Sequence, residues 1–243
     1  MTEYLFISDL HLSADRADTV QCFLRFLEGR ASQADHLYIL GDLFDAWVGD
    51  DDRHPPIPEV KQALRQLSRG GVKLWLIHGN RDFLIGEAFC RETGAELLTD
   101  PSLIDLFGTP TLLMHGDLLC TDDQAYLEFR REIRQPAFIQ HFLSQPIEQR
   151  IALAKAYRAK SGEANSLKSE AIMDVNQQAV ERYLSEHQAE RLIHGHTHRA
   201  ADHPFSLAER AVSRHVLAEW RGEQAEIICV TPEGLRREAV IRN

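Results

Sequence analysis

The sequence predicts an α/β fold, and three observations predict it. Apolar runs of strand length alternate with amphipathic helical stretches through the first half of the chain, which calls for layered α/β packing. The runs YLFIS, LYIL, VKLWLI, TLLM and RLIH are short and almost wholly apolar, as buried strands are. Each run is followed by Gly, Asp, Asn or His, at the carboxyl strand ends where ligands collect in open α/β sheets.

Taken in order, a strand over 4–8 leads to a helix near Asp18–Glu28, where Val20, Phe23, Leu24 and Leu27 recur at helical spacing. A strand over 36–40 opens into an acidic loop, 45–54, and Pro58 starts a helix that reaches about Arg69. Gly70-Gly71 ends that helix before a strand at 72–77; a helix over 84–93, strand-like pieces near 96–106 and a strand at 111–115 follow. From Asp122 to Asn165 the pattern is helical alone. Tyr126, Phe129 and Ile133 share one face, and Phe138, Ile139, Phe142 and Leu143 form a second stripe after Pro136. Ile147, Ile151 and Ala154 continue after Pro146, and Ser161-Gly162-Glu163 reads as a break between helices. A helix over about 166–187 returns to a strand at 190–194. Strand-like segments at 213–220, 226–231 and 235–241 close the chain, the last two joined by a Pro232-Glu233-Gly234 turn. The expected organisation is one domain over 1–243 with a helical insertion at about 122–165.

A chain of 243 residues, 44% hydrophobic and 26% charged, can bury a full core. No apolar stretch has the length of a membrane span. The strand at the very start leaves no room for a secretory leader, and the four cysteines are far apart with no CxxC pair, so the expectation is a cytoplasmic protein with reduced thiols. Cys120 reads as a bland thiol despite its closeness to His115. A net charge of −10 argues against nucleic acid as a partner. Within it, residues 128–168 hold eight basic side chains against four acidic ones, a surplus that suits an anionic ligand, an anionic membrane surface or a solvated helix face.

The chemistry lies in five segments: Asp9-Leu10-His11, Gly41-Asp42, Gly79-Asn80-Arg81-Asp82, His115-Gly116-Asp117 and Gly195-His196-Thr197-His198. Any one of them is weak alone; five, each with metal-ligand residue types, make a mixed oxygen and nitrogen set for two divalent ions. At an extended strand end, residues two apart point the same way, which would let Asp9 and His11 face one metal; His196 and His198 have the same spacing. The expected assignment is Asp9, His11, Asp42 and His198 on one ion, with Asp42 shared and Asn80, His115 and His196 completing the other. Asp45, Asp82 and Asp117 would fix ligand histidines or loop geometry. Asp50-Asp51-Asp52 reads as an exposed loop, His78 and His194 as satisfied core residues, and the other histidines carry no motif. Paired ions suit hydrolysis at phosphorus by activated water, and neither a P-loop nor GxSxG offers another route.

DLH, GDLFD, GNRD, HGD and GHTH in this order resemble the calcineurin-like metallophosphoesterase superfamily over residues 9–198. That resemblance implies a four-layer αββα sandwich of two mixed sheets with the helical insertion as a lid. Many members have GNHD where Arg81 stands here; arginine cannot serve as a general acid but can grip a phosphate oxygen with paired hydrogen bonds. Arg81, the GDLFDAWVGDD segment and the insertion together resemble one branch, whose members cleave a diacylated UDP-sugar in the lipid A biosynthesis of Gram-negative bacteria. The implied reaction is water attack on the α-phosphorus with two Mn²⁺ ions, releasing UMP. The implied setting is peripheral contact with the cytoplasmic side of the inner membrane. The resemblance places Asn80, Arg81, His115 and His196 in the catalytic set. It places Asn80, Arg81, Asp123, Ser161, Asn165, Lys168 and His196 against substrate, with Arg158 a weaker addition. Phe138, Ile139, Phe142 and Leu143 would line an acyl slot or simply pack on the body. The alternatives are a phosphoesterase for cyclic nucleotides, dinucleoside polyphosphates or phosphoproteins, and a non-catalytic scaffold. Ligand types alone do not separate Mn²⁺ from Mg²⁺, Fe²⁺ or Zn²⁺, and the sequence is silent on oligomeric state.

Overall fold

A computed structural model describes residues 2–166, 174–222 and 224–240, with side chains of 160–166 left aside. Strands β1 (Tyr4–Ile7), β2 (His36–Leu40), β3 (Lys73–Ile77) and β4 (Ala95–Leu98) pair in parallel in that order. β10 (Glu226–Thr231) adds antiparallel to β1, and β11 (Gly234–Ala239) to β10, completing a 6-stranded sheet. The second sheet is 5-stranded, in the order β5 (Ser102–Leu106), β6 (Thr109–Leu113), β7 (Arg191–His194), β9 (Arg210–Val216), β8 (Ala201–Leu207). β6, β7 and β9 run parallel, whereas β5 and β8 are antiparallel edges.

The alternation of side chains along each strand shows why the runs are apolar throughout. Leu5, Ile7, Leu37, Ile39, Leu74 and Leu76 face one way, into a core built with α1 (Ala17–Glu28), α2 (Ile57–Arg69) and α3 (Glu87–Thr93). Phe6, Tyr38, Leu40 and Ile77 face the other way and meet Leu106, Leu113 and Ile193 of the second sheet. That sheet turns Leu112, Met114 and Leu192 outward onto Val180 and Leu184 of α7 (Gln177–Glu186). Helices, sheet, sheet and helix thus stack in four layers, with the central strands buried on both faces. On α1, Val20, Phe23, Phe26 and Leu27 are all buried, each worth roughly 1.5–3 kcal/mol. Phe23 and Phe26 meet Trp220 edge-on, with ring centroids 6.0 and 5.4 Å away. Trp220 in turn donates its backbone N–H to the Asp9 carbonyl at 3.2 Å, tying this core to the metal segments.

Between β6 and α7 come α4 (Gln124–Ile133), α5 (Pro136–Leu143) and α6 (Ile147–Ser166). Several expectations need correction. α6 runs on through Ser161-Gly162-Glu163, because one glycine costs a helix only about 1 kcal/mol and its neighbours are good helix formers. The helix expected over 84–93 starts at Glu87, and the strand expected over 213–220 spans Arg210–Val216, after which the chain turns toward Trp220. β8 was not foreseen: Pro204 argues against a strand, and it is tolerated because β8 is an edge with one partner. Asp50, Asp51 and Asp52 do not form a free loop. Asp50 accepts from Gly86 N, Phe89 N and Trp47 Nε1 and so caps α3; Asp51 pairs with Arg150; Asp52 is buried and holds His54.

Candidate metal centre

Five strands that end at one edge of the two sheets deliver the five segments. β1, β2 and β3 supply Asp9, His11, Asp42 and Asn80; β6 and β7 supply His115, His196 and His198. The loops are stitched across the sheets: Asp9 N donates to Gly41 O at 3.2 Å, Gly195 N to His115 O at 2.8 Å, and His196 N to Asp9 Oδ2 at 2.9 Å. Asp82 holds three backbone amides, of Gly79, Asp42 and Leu43, which locks the second and third loops together.

The spacing of Asp9 with His11, and of His196 with His198, works differently from expectation. These residues are not extended. Asp9, His11, Asp42, His196 and His198 have φ of +56°, +49°, +53°, +68° and +57°. Side-chain-bearing residues rarely adopt this left-handed conformation, which costs roughly 1–3 kcal/mol each and collects at functional sites. Close approach explains two glycines: a Cβ on Gly79 would strike Asp42, and one on Gly195 would strike Asp9 and Ser8.

The side chains converge. His11 Nε2 and His198 Nε2 lie 3.3 Å apart, and His198 Nε2 is 3.4 Å from Asp9 Oδ1. Asp42 Oδ2 is 3.8 Å from His11 Nε2 and also 3.8 Å from His115 Nε2. Asn80 Oδ1 lies 3.0 Å from His115 Nε2 and 3.1 Å from His196 Nδ1. Donor atoms of Asp9, His11 and His198 all lie within 4.8 Å of one another, as do those of Asp9, Asp42 and His115. Asp9, Asp42 and His115 are buried, and Asp9 Oδ1 has no hydrogen-bond partner. A buried carboxylate oxygen without a donor, beside imidazole nitrogens facing one another, is a poor arrangement for protein alone and a good one for divalent cations.

Neighbours aim the ligands. His115 Nδ1 contacts the Leu40 carbonyl at 2.9 Å, which turns Nε2 into the cluster. Glu219, which sequence reasoning missed, does the same for His198 through Nδ1 at 3.1 Å. No motif surrounds Glu219; only the backbone turn after β9 brings it here. Burial opposes a charged His198, but the neighbouring carboxylates of Asp9 and Glu219 outweigh it and raise its pKa to about 10. Burial also opposes charge on His115, and the fields of Asp42, Asp117 and Asp9 overcome it, raising His115 to about 9. Burial pushes Asp42 up to about 7 and holds His11 and His196 down near about 3 and about 4.

Of the flanking acids, only Asp82 fixes loop geometry as expected. Asp45 pairs with Arg158 of α6 at 2.6 Å, and Asp117 accepts from Tyr126 Oη and Arg130 Nε of α4, both at 2.6 Å. Both tether the insertion instead of a ligand histidine. His78 and His194 are satisfied by backbone carbonyls, Ile85 at 2.7 Å and Gly195 at 2.8 Å.

Two adjoining hollows open on the cluster. One is lined by His11, Asp42, His196, His198 and Asp123 among others. The second is an apolar slot under the insertion lined by Phe83, Phe129, Ile133, Phe138, Phe142 and Tyr157. Asn80, Arg81 and Tyr126 line both. Of the four expected acyl contacts, Phe138 and Phe142 line the slot; Ile139 and Leu143 do not, and Leu143 is exposed. Asp123 is buried at the cluster's edge and caps α4 through Tyr126 N. Ser161 and Asn165 lie on α6 with undescribed side chains, and Lys168 lies outside the described residues.

A calcineurin-like phosphoesterase family model matches residues 3–200. A UDP-2,3-diacylglucosamine hydrolase of Serratia proteamaculans is 48% identical over 223 residues, covering 92% of this chain and 93% of its own. A protein of the same name from Pseudomonas aeruginosa is 49% identical over 216 residues, covering 89% and 90%. Among solved structures, an archaeal phosphodiesterase covers 98% of this chain and 99% of its own, with a TM-score of 0.48 at 11% identity.

Proposed function

The chain belongs to the calcineurin-like phosphoesterase family, and on that premise we propose that it hydrolyses the pyrophosphate bond of UDP-2,3-diacylglucosamine. The products are UMP and 2,3-diacylglucosamine 1-phosphate, in lipid A biosynthesis. One observation carries the choice of substrate: Asn80, Arg81 and Tyr126 are shared walls of the ligand cluster and the apolar slot. A molecule with a diphosphate beside an acyl chain fills both hollows. A cyclic nucleotide or a phosphoprotein side chain leaves the slot empty, with its apolar surface in water.

We read the cofactors as two Mn²⁺ ions, with Asp9, His11, Asp42 and His198 on one and Asp42, Asn80, His115 and His196 on the other. Equal distances from Asp42 Oδ2 to His11 and His115 support its shared role. When bound, such ions supply Lewis acidity toward the phosphoryl oxygens and the attacking water. Arg81 stands where slot and cluster meet, and its fixed charge and paired donors suit a phosphoryl oxygen. His196 and Asn80 would touch the same phosphates, and Asp123, Ser161, Asn165 and Lys168 the rest of the polar head. Phe129, Ile133, Phe138 and Phe142 would hold an acyl chain away from water.

We further read residues 1–243 as one domain whose insertion, at about 122–165, covers the site and meets the inner membrane from the cytoplasmic side. No helix among the described residues is long and apolar enough to cross a membrane. Exposed Leu143 and Leu153 on the insertion support shallow apolar contact. Replacing both with glutamate should at least halve co-flotation with anionic phospholipid vesicles; unchanged flotation removes this reading.

The test of function is incubation with UDP-2,3-diacylglucosamine and Mn²⁺ in ¹⁸O-water. UMP should appear with label on its phosphate, and Asp42→Ala should abolish its release while the protein still folds. No UMP from protein with both metals bound would sink the proposal. Label on the lipid phosphate would move the attack to the other phosphorus.

A further inference from the structure

The peptide that carries Asn80 is held by the insertion. Gly79 N donates to Asp82 Oδ1 at 2.8 Å, so the body fixes one side of this glycine. Its other side, the Gly79 carbonyl, belongs to the same peptide plane as Asn80 N and accepts from Arg134 Nη2 at 2.8 Å. Arg134 is the C-terminal cap of α4, and its guanidinium lies over the Phe83 ring, 5.1 Å from the centroid. Glycine is needed at 79 because a Cβ there would strike Asp42. Glycine is also the residue whose backbone turns most freely. The plane that follows it would drift without an outside anchor, and Asn80 Oδ1 has to stay near both His115 Nε2 and His196 Nδ1.

We infer that Arg134 is a positioning residue for Asn80, acting through the Gly79 carbonyl, so that seating of the insertion and completeness of the ligand cluster are coupled. A second tie acts in the same sense. Arg130, one turn earlier on α4, donates to Asp117 two residues beyond His115. Both arginines come from the helix whose Phe129 and Ile133 line the apolar slot, so what fills the slot bears on the same helix that steadies Asn80. Partners that orient metal ligands typically change metal affinity or activity by 10–100-fold when removed.

The experiment is Mn²⁺ titration without substrate, by calorimetry and electron paramagnetic resonance, on the wild type, Arg134→Met and, as a control, exposed Arg131→Met. Arg134→Met should weaken one of the two metals by about 10-fold or more and diminish the paired-manganese signal, with Arg131→Met unchanged. On UDP-2,3-diacylglucosamine the same variant should lose about 10-fold or more in kcat with KM altered less than about 3-fold. If Arg134→Met does not fold, Arg134→Gln replaces it, with a weakening of about 3-fold or more expected. A folded variant that binds both metals as the wild type does, or that changes KM alone, overturns the inference. The kinetic arm rests on the proposed substrate, but the titration does not. Wild-type protein that binds two metals without releasing UMP counts against that substrate and leaves the role of Arg134 standing.

Discussion

At the scale of single residues, the cluster is a set of side chains placed at a conformational and electrostatic cost that a bound cation would relieve. His198 and His115, with pKa values raised to about 10 and about 9, carry protons at neutral pH without metal. A metal ligand must be neutral imidazole, so binding displaces those protons. Affinity should therefore fall as pH is lowered below about 10, more steeply below about 9, by up to about tenfold per pH unit for each proton displaced, and level off above that range. Asp42, raised to about 7, adds a further proton to displace below that pH. Metal titrations across pH 6–10, with proton release measured in two buffers, check the sign; affinity that rises with acidity would contradict it. Glu219 aims His198 and also pairs with Arg16 and Arg221. Glu219→Gln should keep a partner for Nδ1 but lose the charge, lowering metal affinity or kcat by about 10-fold.

At the scale of elements, the insertion is fastened to the body, and the fastening accounts for much of its basic surplus. Arg130 pairs with Asp117, Arg134 bonds Gly79, Arg150 grips Asp51 and the Val48 carbonyl, and Arg158 pairs with Asp45. Half of the eight basic residues counted along 128–168 are thus engaged across the seam and do not form a free anionic-ligand surface. Arg150 is buried, whereas Asp51 is largely exposed, so solvent screens that ion pair and the bond to Val48 O matters more. Arg150→Met should cost about 1–3 kcal/mol of stability. It should also raise KM for the acylated substrate while metal content stays at the wild-type level. Loss of metal with unchanged KM would show that α6 does not serve the slot.

At the scale of the whole molecule, the metal centre is a keystone between the two sheets. β1, β2 and β3 come from one sheet and β6 and β7 from the other, and their loops meet at this edge. The site exists only in the folded chain, so metal binding should stabilise the fold by about 2.7 kcal/mol per site at a free concentration of 100 Kd. Thermal unfolding with Mn²⁺ and with a chelator reads this directly. A midpoint indifferent to metal would mean that the folded cluster does not bind it.

The layers and the ligand segments were legible because their signals are local. Residues such as Leu5, Phe6 and Ile7 in an unbroken apolar run require a strand with two buried faces, and Asp, Asn and His at the ends of such strands have few other uses. The resemblance added the number and pairing of the sheets. What the sequence could not show depends on contacts between residues far apart along the chain. Asp50 looks like loop charge until α3 folds beneath it, Glu219 has no motif, and β8 is permitted its proline only because it lies at an edge. The left-handed backbone of Asp9, His11, Asp42, His196 and His198 is likewise outside the reach of local preference, which runs against it. By itself, then, the sequence determined which side chains gather in one cluster and which strands carry them. Only the tertiary structure decided how those side chains are aimed and how the insertion is fastened, because long-range hydrogen bonds and burial can outweigh local backbone preference and a linear pattern carries no record of them.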